Sequence, residues 1–340
     1  MLQSKKQLHN NSIDIFRLLC AVLVVAIHTD PLCDISAPLG DLCTNILPRI
    51  AVPFFFITAG YFYISSLENG KDPTIPYLKR ILVTYLLWSI PYCLISFCTW
   101  GYTMPASFVL ECIYAFFING TSYHFWFFPA LILSALLVTC FYRFRCRKLL
   151  LPVSILLYAV GCLCCAYDTL ALRIPLLDRL LLSPHFLVIR RYLLMGFPFF
   201  AAGYLIRRLA ERKWSDLAVT VSVLLCAALW GAELVVVRRF ELGSDIVITY
   251  GLYPLVASVL LCLLRHPLPK HARTAAMCRS AANFMYYAHP LLITLLTFSA
   301  DLLSVQLSQT PRFLLVVILT VAVSLSIHQS NIPVLKKLLQ

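Results

Sequence analysis

Within SIDIFRLLCAVLVVAIHTDPL, residues 12–32, an arginine and a histidine interrupt a run otherwise apolar enough to cross a bilayer. Arg17 and His28 are eleven positions apart. At about 100° per residue, eleven steps of an α-helix come to about 1,100°, within about 20° of three full turns, so the two side chains share a face roughly 16 Å apart along the axis. This spacing sets a permanent cation near one membrane surface and a titratable imidazole near the other. A guanidinium is suited to holding an anion, and an imidazole with a pKa near ~6.5 to taking a proton from a weak nucleophile. Ionisable side chains inside spans are costly and mark functional sites by default. The competing reading is that Arg17 snorkels to the interface from the start of the helix. Asp14, three residues before Arg17 on nearly the same face, is placed to orient the guanidinium. Asp30 is a weaker partner for His28, because positions two apart on a helix do not face each other.

Other polar residues stand at the edges or middles of apolar runs. Lys79 and Arg80, in PYLKRILVTY, are either snorkelling anchors or an anion-binding pair. In NGTSYHFWFFPALI, residues 119–132, Tyr123 and the phenylalanines suit an interfacial aromatic belt, and His124 and Trp126 are read either as part of it or as facing a substrate. Arg190 and Arg191 lie at the expected outer end of IRRYLLMGFPFFAAGYLIRR, against the usual charge bias, so Arg191 is a candidate to line a cavity or bind an anionic group. In NFMYYAHPLLI, Asn283 and His289 fall near mid-span, six positions or about 600° apart, and so face different directions. Either could meet a central cavity; the other reading of His289 is a hydrogen bond to a carbonyl freed by Pro290. Glu233 is a further charge inside an apolar run, with an arginine as the guessed partner. Cys33 and Cys43, in one expected external loop, are a possible disulfide.

These residues are carried by a chain of 340 residues that is 61% hydrophobic and 13% charged, with a mean hydropathy of +0.84. Such a composition excludes an ordinary soluble domain. Stretches of about 20 mostly apolar residues predict ten spans, at 12–32, 46–67, 77–99, 124–143, 149–167, 186–206, 216–236, 245–264, 280–300 and 311–331. The expectation is an all-α, polytopic membrane helix bundle forming a single domain over residues 1–340. With the N-terminus inside, most of the 28 lysines and arginines fall on cytoplasmic segments, from Lys5 and Lys6 before the first span to Lys336 and Lys337 after the tenth. The charge bias thus favours both termini in the cytoplasm and accounts for the net charge of +13 without nucleic acid. The first run lacks a small-residue cleavage site and reads as a retained span. The connection DTLALRIPLLDRLLLSPH is half apolar, an interfacial helix or a mobile lid. No GxSxG elbow, HExxH, phosphate-binding glycine loop or zinc spacing is found, so no metal is expected.

The motifs IDIFRLLCAVLVVAIH, VPFFFITAGYF, YHFWFFPALI, YLLMGFPFFAAGYL and NFMYYAHPLLI, in this order across essentially the whole chain, resemble the acyltransferase-3 family of ten-helix bacterial membrane proteins. Within it the chain looks most like the membrane domain of vancomycin-resistance-type serine racemases, through VVAIHTDPL, NGTSYHFWFFPA and SDIVITYGLYPL. The resemblance implies a multi-pass protein of the bacterial plasma membrane. It implies transfer of an acyl group, commonly acetyl, from cytoplasmic acyl-CoA to a hydroxyl of an extracytoplasmic or lipid-linked envelope acceptor, often a sugar. Arg17 and His28 match the family's arginine and histidine, as donor-holding cation and general base. The family's two arginines and following proline at the third helix are reduced here to Lys79-Arg80 with Thr84 nearby. The cytoplasmic racemase domain is expected to be missing, since the sequence stops just after the tenth span. The alternative implied by the likeness is an L-serine transport or binding module, in which Arg17 or Arg191 binds the carboxylate.

Overall fold

Each predicted span carries a helix, because long apolar runs that must satisfy their own backbone in lipid have little else open to them. In chain order these are α1 (Asn11–Thr29), α2 (Ala51–Glu68), α3 (Thr74–Trp100), α4 (Phe127–Arg143), α5 (Leu150–Leu163), α6 (Phe197–Ala210), α7 (Asp216–Arg239), α8 (Leu252–Arg265), α9 (Ala272–Leu302) and α10 (Gln309–Gln329). The computed structural model describes residues 10–100, 108–330, 332 and 337–339, and no strand occurs among them. Lys5, Lys6 and Lys336, used in the charge argument, lie outside the described residues, as does the side chain of Lys337. Among the described residues six continuous helical stretches are long and apolar enough to cross a membrane: Asn11–Thr29, Ala37–Glu68, Thr74–Phe97, Phe186–Ala210, Asp216–Arg239 and Gln309–Gln329. The protein is an all-α polytopic membrane protein.

The chain divides into two compact units. The first takes the described residues of Met1–Phe54, Lys213–Val219 and Val259–Gln340. Its frame is α1 packed along α9, with α10 against both. Asn10 starts α1: its side-chain oxygen accepts from the backbone N–H of Ser12 and Ile13, at 2.9 and 3.4 Å, which satisfies two donors that a helix start leaves open. The same end is tied down by Asn10 Nδ2 donating to Leu263 O at 2.9 Å and Asn11 Nδ2 to Leu268 O at 2.6 Å. At the other end Asp30, exposed and left-handed with φ 51°, closes the helix by donating its N–H to Ala26 O. The following turn is fastened to the start of α10: Leu32 N donates to Thr310 Oγ1 at 2.8 Å, while Asp34 accepts from the Thr310 hydroxyl and, at 3.1 Å, its N–H. Arg17 and His28 are therefore carried on a helix held at both ends. In this region Cys33 and Cys43 are both free thiols, so the possible disulfide does not form; Cys33 instead lies against Gly40, where an added Cβ would meet its Sγ.

The second unit takes Phe55–Arg212 and Thr220–Ser258. Here α6 packs on α4 and α5, and α3 on α4. Two glycines bring α2 and α6 backbone to backbone: a Cβ on Gly60 would land on the Phe200 carbonyl, and one on Gly203 on Tyr61 N. Small residues at such crossings are how membrane helices gain close van der Waals contact without a hydrophobic driving force. The connection from α5 to α6 folds as short helices, Asp168–Ala171, Pro175–Leu181 and Phe186–Ile189, with Ala171 and Leu177 buried against Cys164. Glu233 does not pair with an arginine as guessed. Its carboxylate accepts from Tyr250 N at 2.7 Å, Gly251 N at 2.6 Å and the Tyr167 hydroxyl at 2.9 Å. Those two N–H groups immediately precede α8, so a charge from α7 satisfies backbone donors at the start of the next helix.

Candidate active site

The first unit brings together the groups on α1 and α9. Asp14 is nearly buried, with 5% of its side chain exposed, and holds two guanidiniums: Arg17 on its own helix, Nη1 to Oδ1 at 3.8 Å, and Arg279 on α9, Nη1 to Oδ2 at 3.2 Å. The i, i+3 pairing of Asp14 with Arg17 is the one read from the spacing. Arg279 was missed. It counted in the sequence only as one more cytoplasmic cation, and the signal that would have found it is Asp14 itself, a carboxylate entering an apolar helix and needing more than one distant cation.

Three turns further along α1, the half-buried His28 imidazole stacks on that of His289, ring centroids 5.3 Å apart and planes inclined by 20°. His289 is fully buried. Its Nδ1 lies 3.0 Å from both the Met285 and Tyr286 carbonyl oxygens. Pro290 has no N–H to offer the carbonyl four residues back, Tyr286, and the His289 side chain supplies the missing donor. Of the two readings of His289 left open by the sequence, the carbonyl bond is the one that forms. Because both neighbours of Nδ1 are acceptors, that nitrogen carries a proton. Asn283 faces elsewhere, as the 600° separation implied: its Nδ2 donates to Leu339 O at 3.1 Å.

The second unit holds the remaining candidates. Lys79 and Arg80 are exposed near the start of α3, with the Arg80 guanidinium 5.5 Å from the Tyr77 ring centre. Arg191 stands over the indole of Trp126, 5.1 Å from its centre. Arg191 belongs to a π-helical turn, Arg190–Gly196, leading into α6; such turns widen a helix locally and are frequent at functional sites. Its neighbour Arg190 is occupied by Asp245, Nη1 to Oδ2 at 2.6 Å. His124 is 4% exposed, with Nδ1 3.2 Å from Ser122 Oγ and its ring packed against Phe125 and Tyr92 at 4.0 and 5.3 Å.

In chemical terms, α1 carries a cation anchored by a carboxylate at one end and a ring nitrogen base at the other. Separately, Trp126 and Arg191 offer an aromatic surface and a cation side by side, a combination that suits a polar or anionic ligand. Among the described residues no three side chains of metal-ligating type converge.

Residues 10–329 match the family model described as an acyltransferase domain, Acyl_transf_3. The chain is 28% identical over 323 residues to a serine/alanine racemase of Enterococcus gallinarum, covering 92% of this chain and 45% of that protein. It is 35% identical over 175 residues to an amino-acid racemase of Enterococcus faecalis, covering 50% of this chain and 25% of that protein. The chain thus spans less than half the length of these curated relatives. No solved structure matches. With its apolar helices and a family match over nearly its whole length, the chain belongs to the acyltransferase-3 family of membrane proteins.

Proposed function

We propose that the protein moves an acyl group, acetyl in the first instance, from cytoplasmic acyl-CoA to a hydroxyl of an extracytoplasmic or lipid-linked cell-envelope acceptor such as a saccharide. Its setting is a bacterial plasma membrane, with both termini in the cytoplasm and residues 1–340 acting as one transmembrane domain. His28 is the general base: its imidazole takes the acceptor hydroxyl proton as the oxygen attacks the thioester carbonyl. The C–S bond then breaks, and the proton passes to the departing thiolate. Arg17, oriented by Asp14, holds a phosphate or the pantetheine arm of the donor, with Lys79 and Arg80 as further donor-side cations. Trp126 and Arg191 contact the acceptor.

The observation that carries this reading is the half-buried His28 imidazole, set on the same helix as an anchored arginine and backed by a second imidazole, in a chain of this family. A hydroxyl is a weak nucleophile, and general-base assistance is worth about 10²–10⁴-fold. The test is incubation of the purified protein with radiolabelled acetyl-CoA and envelope extracts, following label into an alkali-labile ester. The racemase names of the relatives favour a second reading, an L-serine transport or binding module in which Arg17 or Arg191 holds the carboxylate. Uptake of labelled L-serine by vesicles, with no binding of acetyl-CoA, is the result that selects it.

A further inference from the structure

We propose that His289 is the positioning residue of His28: clamped by two backbone carbonyls, its imidazole is a fixed flat buttress that sets the plane of the proton-accepting ring. This rests on the reading of His28 as the base.

His289 is enclosed on all sides, so it acts on a substrate through another group. The titratable ring beside it is His28, with centroids 5.3 Å apart and planes inclined by 20°. With the two rings this close and their planes this nearly aligned, the orientation of one constrains that of the other. Two acceptors at 3.0 Å fix Nδ1 and with it the direction of the ring. The second acceptor, Tyr286 O, is available because residue 290 is a proline; a residue with an N–H there would compete for the carbonyl. The sequence His289-Pro290 thus builds both the clamp and the vacancy that the clamp fills. Positioning matters here because a base must meet a hydroxyl proton within hydrogen-bond reach, and a displacement of about 1 Å costs about 10²-fold in rate.

Two substitutions separate buttress from helix repair. His289→Asn keeps an N–H donor for the freed carbonyl and removes the ring; His289→Phe keeps a ring and removes the donor. The buttress predicts that His289→Asn melts close to the wild type and keeps its KM for acetyl-CoA, while kcat falls about tenfold to 10²-fold. His289→Phe melts lower but retains more kcat per folded molecule than His289→Asn. A wild-type kcat in His289→Asn overturns the proposal. The clamp is read without turnover by ¹⁵N spectra of histidine-labelled full-length protein, with the His28 signals assigned by His28→Ala. His289 is expected protonated at Nδ1, and the His28 signals are expected to move in His289→Asn; unmoved His28 signals, or a His289 protonated at Nε2, overturn it. Absence of acyl transfer in the wild type would instead strike the base reading, so the two failures appear in different measurements.

Discussion

His28 on α1 and His289 on α9 lie ring against ring, 5.3 Å between centroids, in the first of the two units. They are 261 positions apart in the chain, and each stands in an otherwise apolar stretch. The pairing gives the half-buried ring a rigid neighbour whose own orientation is dictated by backbone oxygens. Along the same two helices, Asp14 joins Arg17 to Arg279, so α1 and α9 are stitched together by imidazoles at one level and by charges at another.

Arg279→Met removes the shorter of the two ion pairs that Asp14 makes with Arg279 and Arg17, at 3.2 and 3.8 Å. Stranding a buried carboxylate is costly, but Arg279 is 38% exposed, which discounts the pair toward the surface range. The expected loss is about 1–2 kcal/mol. A double-mutant cycle with Asp14→Asn, read by thermal unfolding in detergent, is expected to show a coupling of about 1 kcal/mol; additive effects would mean that the two groups do not support each other.

Glu233→Gln keeps the shape of the α7 side chain but must present an amide N–H to one of the two backbone N–H groups, of Tyr250 and Gly251, that the carboxylate now accepts. One of these bonds is exposed and the other half-buried, so the lost charge-assisted bond costs about 1 kcal/mol. The variant is expected to unfold at lower temperature while transferring acyl groups at the wild-type rate below its transition. An unchanged unfolding temperature would show that the start of α8 does not depend on this carboxylate.

The Thr310 hydroxyl and N–H bonded to Asp34 hold that carboxyl below its ordinary value of 3.8. A carboxyl depressed in the folded state contributes stability that is present above the unfolded pKa and is lost as the pH falls through the lower folded value. The fastening of the turn after α1 to α10 therefore weakens only below about pH 4. Limited proteolysis of this turn at decreasing pH is expected to show cleavage rising in that window in the wild type. In Thr310→Val the turn is expected to be cleaved more readily already at neutral pH, and a wild-type profile in that variant would remove the hydroxyl from the account.

The helices were legible because a long apolar run in a membrane protein has little else to form, and each predicted run overlaps a helix. The i, i+3 relation of Asp14 to Arg17 was legible for the same local reason. What the sequence left open lay in contacts between distant segments. His289 could be read toward a cavity or toward its own backbone, and only packing against α1 gave it a partner. Glu233 drew a guess of an arginine because charge pairing is the familiar remedy for a buried carboxylate, yet backbone N–H groups at a helix start serve equally well and leave no trace in composition. Arg279 was hidden among the other cations, and Arg191, whose guanidinium stands over Trp126, lies in a π-helical turn that periodicity does not announce.

The central claim is that His28 takes the proton in acyl transfer. The most direct measurement compares His28→Ala with the wild type in two assays on the same purified protein: equilibrium binding of acetyl-CoA, and transfer of its labelled acetyl group to an envelope hydroxyl. The account predicts unchanged binding with transfer reduced about 10²–10⁴-fold. Transfer by His28→Ala at the wild-type rate would contradict it.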